Sequence, residues 1–141
     1  MKTYEVQLKQ LNQFYKQELQ NCRLNTIVTN HDAFDYLADA YSFKVEAVSG
    51  LSPEAQSSAH VMKKLIKIVK EKNIKVIFFE SFVSDKLIRT IAGETDVQRV
   101  EVLFPLANVT QKQSHEGYIE LMKQNAQKIS YALECHNSMV K

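Results

Sequence analysis

Two side chains with the chemistry of a metal site directly follow predicted strands of this sequence. His31 comes two residues after the β-branched run Thr26–Thr29, and Glu80 comes immediately after the apolar run Val76–Phe79. An imidazole nitrogen can bind a transition metal, and a metal-binding histidine commonly donates its second N–H to a carboxylate. From position alone, two other interpretations stay open: a solvent-exposed histidine at a helix start, and a carboxylate that caps the following loop.

The other three histidines are weaker candidates. His60 lies early in a predicted helix, His115 lies in the first turn of the last predicted helix, and His136 lies in the C-terminal tail. A surface position is the better interpretation for each of them. The sequence contains no nucleophile elbow, no glycine-rich phosphate loop and no Cys-x-x-Cys motif. It therefore gives little support to an enzyme.

The elements that must position these residues alternate between helices and short strands. Apolar residues at spacings of three and four predict helices, and short β-branched or apolar runs predict strands. The predicted helices cover residues 1–23, 33–41, 58–72, 85–92 and 115–135. The predicted strands cover residues 26–29, 44–48, 76–79 and 99–104.

The order of these elements predicts an α/β fold. A helix followed by four strand–helix pairs is typical of a four-stranded, mostly parallel sheet flanked by helices on both faces. Asn30 is the predicted N-cap of the second helix, and Gly93 is predicted to end the fourth. Ligands of such sheets bind beyond the carboxyl ends of the strands. A site is therefore expected among the segments that follow the strands, at residues 30–32, 49–53, 80–81 and 104–105.

The composition is that of a globular protein and excludes several classes. The chain has 141 residues, of which 45% are hydrophobic and 24% charged, which predicts one compact domain. The net charge of +2 is too close to neutral to indicate a nucleic-acid partner. No apolar run approaches the roughly 20 residues of a membrane span, and the first ten residues lack the apolar core of a signal peptide. Cys22 and Cys135 allow one disulfide at most and make no metal cluster by themselves.

Five blocks of the sequence resemble one known family. They are IVTNHDAFDYLADAY, VSGLSPEAQSSA, KEKNIKVIFFESFVSDKLIRTIAGET, VLFPLANVT and GYIELMKQNAQKI. In order and in gaps they are similar to the C-terminal lobe of the periplasmic zinc- and manganese-binding proteins of metal ABC transporters, a family that includes adhesin-like lipoproteins. The resemblance covers nearly the whole chain. It implies that residues 1–24 form the backbone helix between two lobes, and that residues 25–141 form the C-terminal metal-binding lobe.

The resemblance also implies a divalent metal, Zn²⁺ or Mn²⁺, and a partial set of ligands. His31 matches a metal-binding histidine of the zinc members, where manganese members tend to carry glutamate, so zinc is favoured. Glu80 matches a glutamate expected to hold the histidine, within reach directly or through a water, rather than to bind the metal. The family's carboxylate ligand falls where this sequence has Phe104 and Leu106, neither of which can coordinate. One histidine cannot fill a zinc shell of three or four protein ligands, so the site in this chain is expected to be incomplete.

The implied partners follow from the two-lobe architecture of the family. They are an N-terminal lobe that supplies further histidines and the permease of a metal ABC transporter. The lobe surface that would meet another domain also predicts self-association. The family is periplasmic; without a signal peptide, the chain as it stands would be cytoplasmic. The sequence is thus expected to be half of a binding protein, either an excised domain or a truncated gene product.

The leading hypothesis is therefore a binding module rather than an enzyme: the C-terminal lobe of a zinc-type substrate-binding protein that captures a divalent metal for an ABC uptake transporter. The alternative is an orphaned α/β domain that no longer binds metal tightly and acts as an interaction or structural module. A third class, a small enzyme on a flavodoxin-like sheet, would be favoured by a phosphate loop, which the sequence lacks.

The resemblance leaves the cysteines open. Cys135 matches a position that some zinc members use for a disulfide, but the usual partner position, near Lys75, is not a cysteine here. Whether Cys22 takes that place stays undecided at the level of sequence; an oxidising periplasm would permit the bond.

Overall fold

The structure, a computed structural model, describes residues 4–31, 34–51, 58–80, 82–104 and 115–135. In these residues helices and strands alternate. The helices are α1 (Tyr4–Glu18), α2 (Asp35–Tyr41), α3 (Ala59–Lys72), α4 (Asp85–Glu94) and α5 (His115–Ala132). The strands are β1 (Thr26–Thr29), β2 (Lys44–Ala47), β3 (Val76–Phe79) and β4 (Arg99–Val102).

The four strands form one parallel sheet in the order β2-β1-β3-β4. Val28 of β1 lies opposite both Glu46 of β2 and Ile77 of β3, so β1 is paired on both sides. Connections between parallel strands are right-handed, which puts α2 on one face of the sheet and α3 and α4 on the other. The predicted α/β fold with a four-stranded parallel sheet and helices on both faces is confirmed.

Burial separates the two central strands from the two edge strands. All four residues of β1 and all four of β3 are buried, which explains why their sequences are continuous apolar or β-branched runs. The edge strands β2 and β4 each begin with an exposed residue and continue half-buried. The core around β3 is completed by side chains from α3 and α4: Leu65, Ile68, Val69, Leu87 and Ile91.

The chain divides into two compact units. Residues Leu24–Leu103, with the sheet, α2, α3 and α4, form one unit, and Met1–Arg23 with Phe104–Lys141 form the other. The sheet unit begins at Leu24, one residue before the predicted boundary between residues 24 and 25. Residues from Phe104 onward, in contrast, group with α1. The assignment of residues 1–24 to an interlobe helix and of residues 25–141 to one lobe stays a prediction.

Helices α1 and α5 are held together by a buried hydrogen bond and a covalent bond. The hydroxyl of Tyr15 in α1 donates to the backbone oxygen of Met122 in α5 at 2.6 Å, and the Tyr15 side chain is buried. Cys22 and Cys135, which follow the two helices, form a disulfide. The question that the sequence leaves open is thus answered: the two cysteines pair with each other.

Several helix boundaries differ from those predicted. Helix α5 ends at Ala132 rather than at residue 135, and α3 begins at Ala59 with Ser58 as its N-cap. Helix α1 ends at Glu18 rather than at residue 23. Helix α2 begins at Asp35 rather than at residue 33, and Asn30 is not its N-cap. The reason is that the Asn30 N–H donates to the Phe78 oxygen at 3.2 Å, so Asn30 still belongs to the sheet. Helix α4 passes through Gly93 and is capped by Thr95, whose backbone N–H and hydroxyl both donate to the Ile91 oxygen.

Candidate metal site

The candidate site lies where the strand order of the sheet reverses. From β1 the chain crosses to β2 on one side, and it later returns to β3 on the other side of β1. The carboxyl ends of β1 and β3 therefore flank the crevice in which open α/β sheets bind ligands. Of the described residues that follow these two strands, Asn30 and His31 come after β1, and Glu80 comes after β3.

His31 and Glu80 face each other across this crevice. The Nδ1 atom of His31 lies 3.6 Å from Oε2 of Glu80, which is ion-pair distance and somewhat longer than an N–H···O hydrogen bond. The His31 side chain is 63% exposed and that of Glu80 is 32% exposed. The structure thus brings together the two residues that the sequence singled out, at the carboxyl edge and open to solvent. Metal binding by His31 stays a prediction.

The backbone that carries His31 is fixed by the sheet. The Thr29 hydroxyl donates to the His31 oxygen at 2.8 Å, and Thr29 itself is buried. Because the neighbouring Asn30 N–H is bonded to β3, the exposed imidazole is attached to a backbone that is held at two points. Sequence reasoning missed this role of Thr29. The available signal was a hydroxyl residue two positions before the histidine, a spacing at which such side chains bond local backbone.

Asn30 places an unusual atom beside this histidine. Its Oδ1 is buried and has no hydrogen-bond partner among the residues that the structure describes. Buried acceptors are normally paired with a donor from the protein or from ordered water.

The remaining candidate positions contribute no further ligand within the described chain. His60 is exposed on the first turn of α3. The side chain of His115 and the whole of Leu106 and His136 lie outside the described residues. In the described ranges, no three His, Cys, Asp or Glu side chains are grouped so that they could hold a metal ion. The described site offers one imidazole and one carboxylate, fewer than the three or four protein ligands of a zinc centre.

Phe104, where the resemblance implies a lost carboxylate, is fixed by α5. Its N–H donates to Oδ1 of Asn125 at 2.9 Å, and Nδ2 of Asn125 donates to its oxygen at 2.9 Å. The Lys128 ammonium lies 4.6 Å from the centre of the Phe104 ring, a cation–π contact. Sequence reasoning missed the role of Asn125, although a polar residue inside the apolar stripe of α5 signals it.

No helix of the described residues is both long enough and apolar enough to span a bilayer.

An open parallel sheet with a histidine and a carboxylate at its switch point matches the arrangement of α/β proteins that bind ligands at this edge. The family model described as "ZnuA: Zinc-uptake complex component A periplasmic" matches residues 1–132. The chain belongs to this family.

Two curated relatives illustrate the similarity. The "High-affinity zinc uptake system protein ZnuA" of Bacillus subtilis (strain 168) is 36% identical over 126 residues, which are 88% of this chain and 39% of that protein. The "Zinc-binding lipoprotein AdcA" of Streptococcus pneumoniae (strain ATCC BAA-255 / R6) is 37% identical over 124 residues, which are 86% of this chain and 25% of that protein. The chain therefore spans well under half the length of these relatives.

Two solved structures share the fold. The metal-dependent lipoprotein YcdH from Bacillus subtilis superposes with a TM-score of 0.82 at 35% identity, over 92% of this chain and 50% of that chain. The Zn(II)-bound ZnuA-like domain of Streptococcus pneumoniae AdcA superposes with a TM-score of 0.81 at 34% identity, over 93% of this chain and 49% of that chain. The chain thus corresponds to about half of each structure.

Proposed function

We propose that this chain is one lobe of a zinc-type substrate-binding protein that captures a divalent metal for an ABC uptake transporter. The observation that carries the proposal is the exposed His31 beside Glu80 at the switch point of the sheet, 3.6 Å apart. The names of the relatives, which refer to zinc uptake and zinc binding, support a binding role rather than an enzyme.

In this proposal His31 is a metal ligand and Glu80 orients it. Because Nδ1 of His31 faces the Glu80 carboxylate, Nε2 is the nitrogen left for the metal. A carboxylate on Nδ1 keeps the proton on that nitrogen and the lone pair on Nε2, which is the arrangement a metal-binding histidine needs. Imidazole suits zinc, whereas manganese favours carboxylate, carbonyl and water ligands. The proposed cargo is therefore Zn²⁺ rather than Mn²⁺.

The remaining ligands come from outside the described residues. We propose that an N-terminal lobe, as in relatives about twice as long, supplies further histidines. A carboxylate is missing at Phe104 and Leu106, so water completes the zinc shell. Phe82, two residues beyond Glu80, supports a second lobe at this edge because its large apolar side chain is 91% exposed. Without that lobe, the same edge would favour self-association.

The proposed compartment is outside the cytoplasm. The family description says periplasmic, and one relative is named a lipoprotein. The disulfide between Cys22 and Cys135 agrees with this, since such bonds persist in oxidising compartments. The partner proposed there is the transporter permease, which receives the metal.

The decisive experiment joins this chain to the N-terminal half of the Bacillus subtilis relative and measures zinc affinity by competition with a chromophoric chelator. We expect tight one-to-one binding by the hybrid. The chain alone should bind with a Kd of about a micromolar or weaker, because one histidine cannot fill the shell. In the hybrid, His31→Ala should weaken binding by at least about 10–100-fold, and Glu80→Gln should weaken it by about 10–100-fold. His60→Ala, an exposed histidine on α3, is the matched control and should change nothing.

Three results would contradict the proposal. Unchanged zinc affinity in the His31→Ala hybrid would exclude this histidine as a ligand. Nanomolar one-to-one binding by the chain alone would show that further ligands, such as His115, complete the site within this chain. A hybrid that folds but binds no zinc would favour the alternative, an α/β interaction module without metal.

A further inference from the structure

Helices α3 and α4 together present a strongly basic surface. It is formed by six exposed cations, which we call the basic face: Lys63, Lys64, Lys67, Lys70, Lys86 and Arg89. The two helices contact each other, and the right-handed connections put them on the same face of the sheet. The six cations therefore lie on neighbouring helices on the same face of the sheet.

The orientation of these cations is set by the core. In α3, the buried positions Met62, Leu65, Ile68 and Val69 fix one side of the helix against the sheet, and helical periodicity turns the lysines to the other side. In α4, Leu87 and Ile91 are buried in the same way. The positive charges therefore lie on helices that are packed against the core.

The charge of the chain is segregated onto these helices. They contain seven of the 18 Lys and Arg residues but only three of the 16 Asp and Glu residues, a net charge of +4 in a chain whose total is +2. No carboxylate of the described residues forms an ion pair with the basic face. Like charges three and four residues apart, such as Lys63 with Lys67, destabilise a helix.

We propose that the basic face binds the surface of an anionic phospholipid bilayer. Clusters of four to eight Lys and Arg residues are attracted to anionic lipid headgroups. The composition favours a bilayer over a protein partner, since protein interfaces are enriched in aromatic residues and Arg and depleted in Lys. Neither helix contains Phe, Tyr or Trp, and five of the six cations are lysines.

Binding through this face is peripheral and leaves the candidate metal site free. The apolar sides of α3 and α4 are occupied by the core, so no apolar surface is left to insert between the lipids. The outward sides of the two helices face away from the sheet, whereas His31 lies at its carboxyl edge. The proposal therefore does not depend on metal binding.

The test is co-sedimentation of the full chain with vesicles of equal parts phosphatidylglycerol and phosphatidylcholine, and with vesicles of phosphatidylcholine alone. We expect binding only to the anionic vesicles at about 0.1 M salt, and release at about 1 M salt, where the Debye length falls from about 10 Å to about 3 Å. Each basic residue near such a surface contributes about fivefold to partitioning. The double variant Lys63→Glu/Lys67→Glu should therefore lower partitioning by at least about 25-fold.

The matched control is Lys9→Glu/Lys16→Glu, which makes the same charge change at two exposed positions of α1. It should keep partitioning within about threefold, since these lysines lie outside the basic face, and circular dichroism should show that both variants are folded. Equal loss in the two double variants would overturn the proposal, because net charge would then explain binding. Binding to phosphatidylcholine alone, or no binding to either vesicle, would also overturn it, and the second result would leave an acidic protein as the partner.

Discussion

The side-chain amide of Asn125 bonds both backbone groups of Phe104, accepting from its N–H and donating to its oxygen, each at 2.9 Å. The amide thus supplies the two hydrogen bonds that a neighbouring strand would supply to a residue inside a sheet. Asn125 is fully buried in α5, and Phe104 is half-buried. A single side chain therefore satisfies both backbone groups of Phe104.

Replacing this amide should cost a large share of the stability. We expect Asn125→Ala to lower the free energy of unfolding by about 2–4 kcal/mol, because it removes both side-chain bonds to the half-buried backbone of Phe104. Urea denaturation followed by circular dichroism measures the loss. Gln127→Ala, at an exposed position of the same helix, is the control and should stay within about 0.5 kcal/mol. Equal losses in both variants would mean that the bonds to Phe104 contribute nothing specific.

Two glycines should respond in opposite directions to the same substitution. Gly50 has a φ of +88°, and a Cβ there would lie 2.9 Å from Cγ2 of Val61. We expect Gly50→Ala to destabilise by at least about 1–2 kcal/mol, the cost of the left-handed conformation for a residue with a Cβ. Gly93 lies inside α4 with no atom within 4 Å of such a Cβ, so Gly93→Ala should stabilise by about 0.5 kcal/mol. Thermal unfolding measures the Tm of each variant. A Tm shift of the same sign in both variants would refute the prediction.

The disulfide should contribute strongly to stability. Its cysteines are 113 residues apart, so the bond removes much conformational entropy from the unfolded chain, and its loss is expected to cost about 2–5 kcal/mol. Urea unfolding with and without reductant measures the effect. The double variant Cys22→Ala/Cys135→Ala should match the reduced protein and should not respond to reductant. Identical midpoints for oxidised and reduced wild type would contradict the expectation.

The histidine proposed as a ligand should be dispensable for folding. His31 is 63% exposed, so His31→Ala should change the free energy of unfolding by no more than about 0.5 kcal/mol. Ile77→Ala, in the fully buried middle of β3, is the contrasting variant and should cost about 2–5 kcal/mol. Chemical denaturation of the metal-free chain measures the free energy of unfolding of both variants. If His31→Ala lowered the free energy of unfolding by more than about 1 kcal/mol, His31 would also stabilise the fold.

The parts of the fold that the sequence predicts best are those decided by burial. The bounds of β1 and β3 agree with their predictions because both strands are central and every residue in them is buried. The edge strands β2 and β4 end one and two residues earlier than predicted, since an edge strand has only one partner and a weaker apolar pattern. Gly93 misled the prediction for α4 because a glycine can also continue a helix where Thr95 supplies the cap.

The sequence predicts which residues form the candidate site but not how far apart they lie. His31 and Glu80 could be paired from the rule that parallel strands end at the same edge, but their separation depends on the register of β1 against β3. The bond from Thr29 to His31 and the amide of Asn125 depend on side-chain directions that no periodicity encodes. The pairing of Cys22 with Cys135 likewise required the packing of α1 against α5, which joins the two ends of the chain.

The same disulfide makes most of the polypeptide a covalent ring. Everything between Cys22 and Cys135, including the entire sheet unit Leu24–Leu103, lies within it. A protease that cuts once anywhere inside the ring opens it without releasing a fragment, so both pieces stay attached through the two sulfur atoms. A protein exposed to extracellular proteases would in this way survive a single nick as one molecule and could keep its sheet assembled.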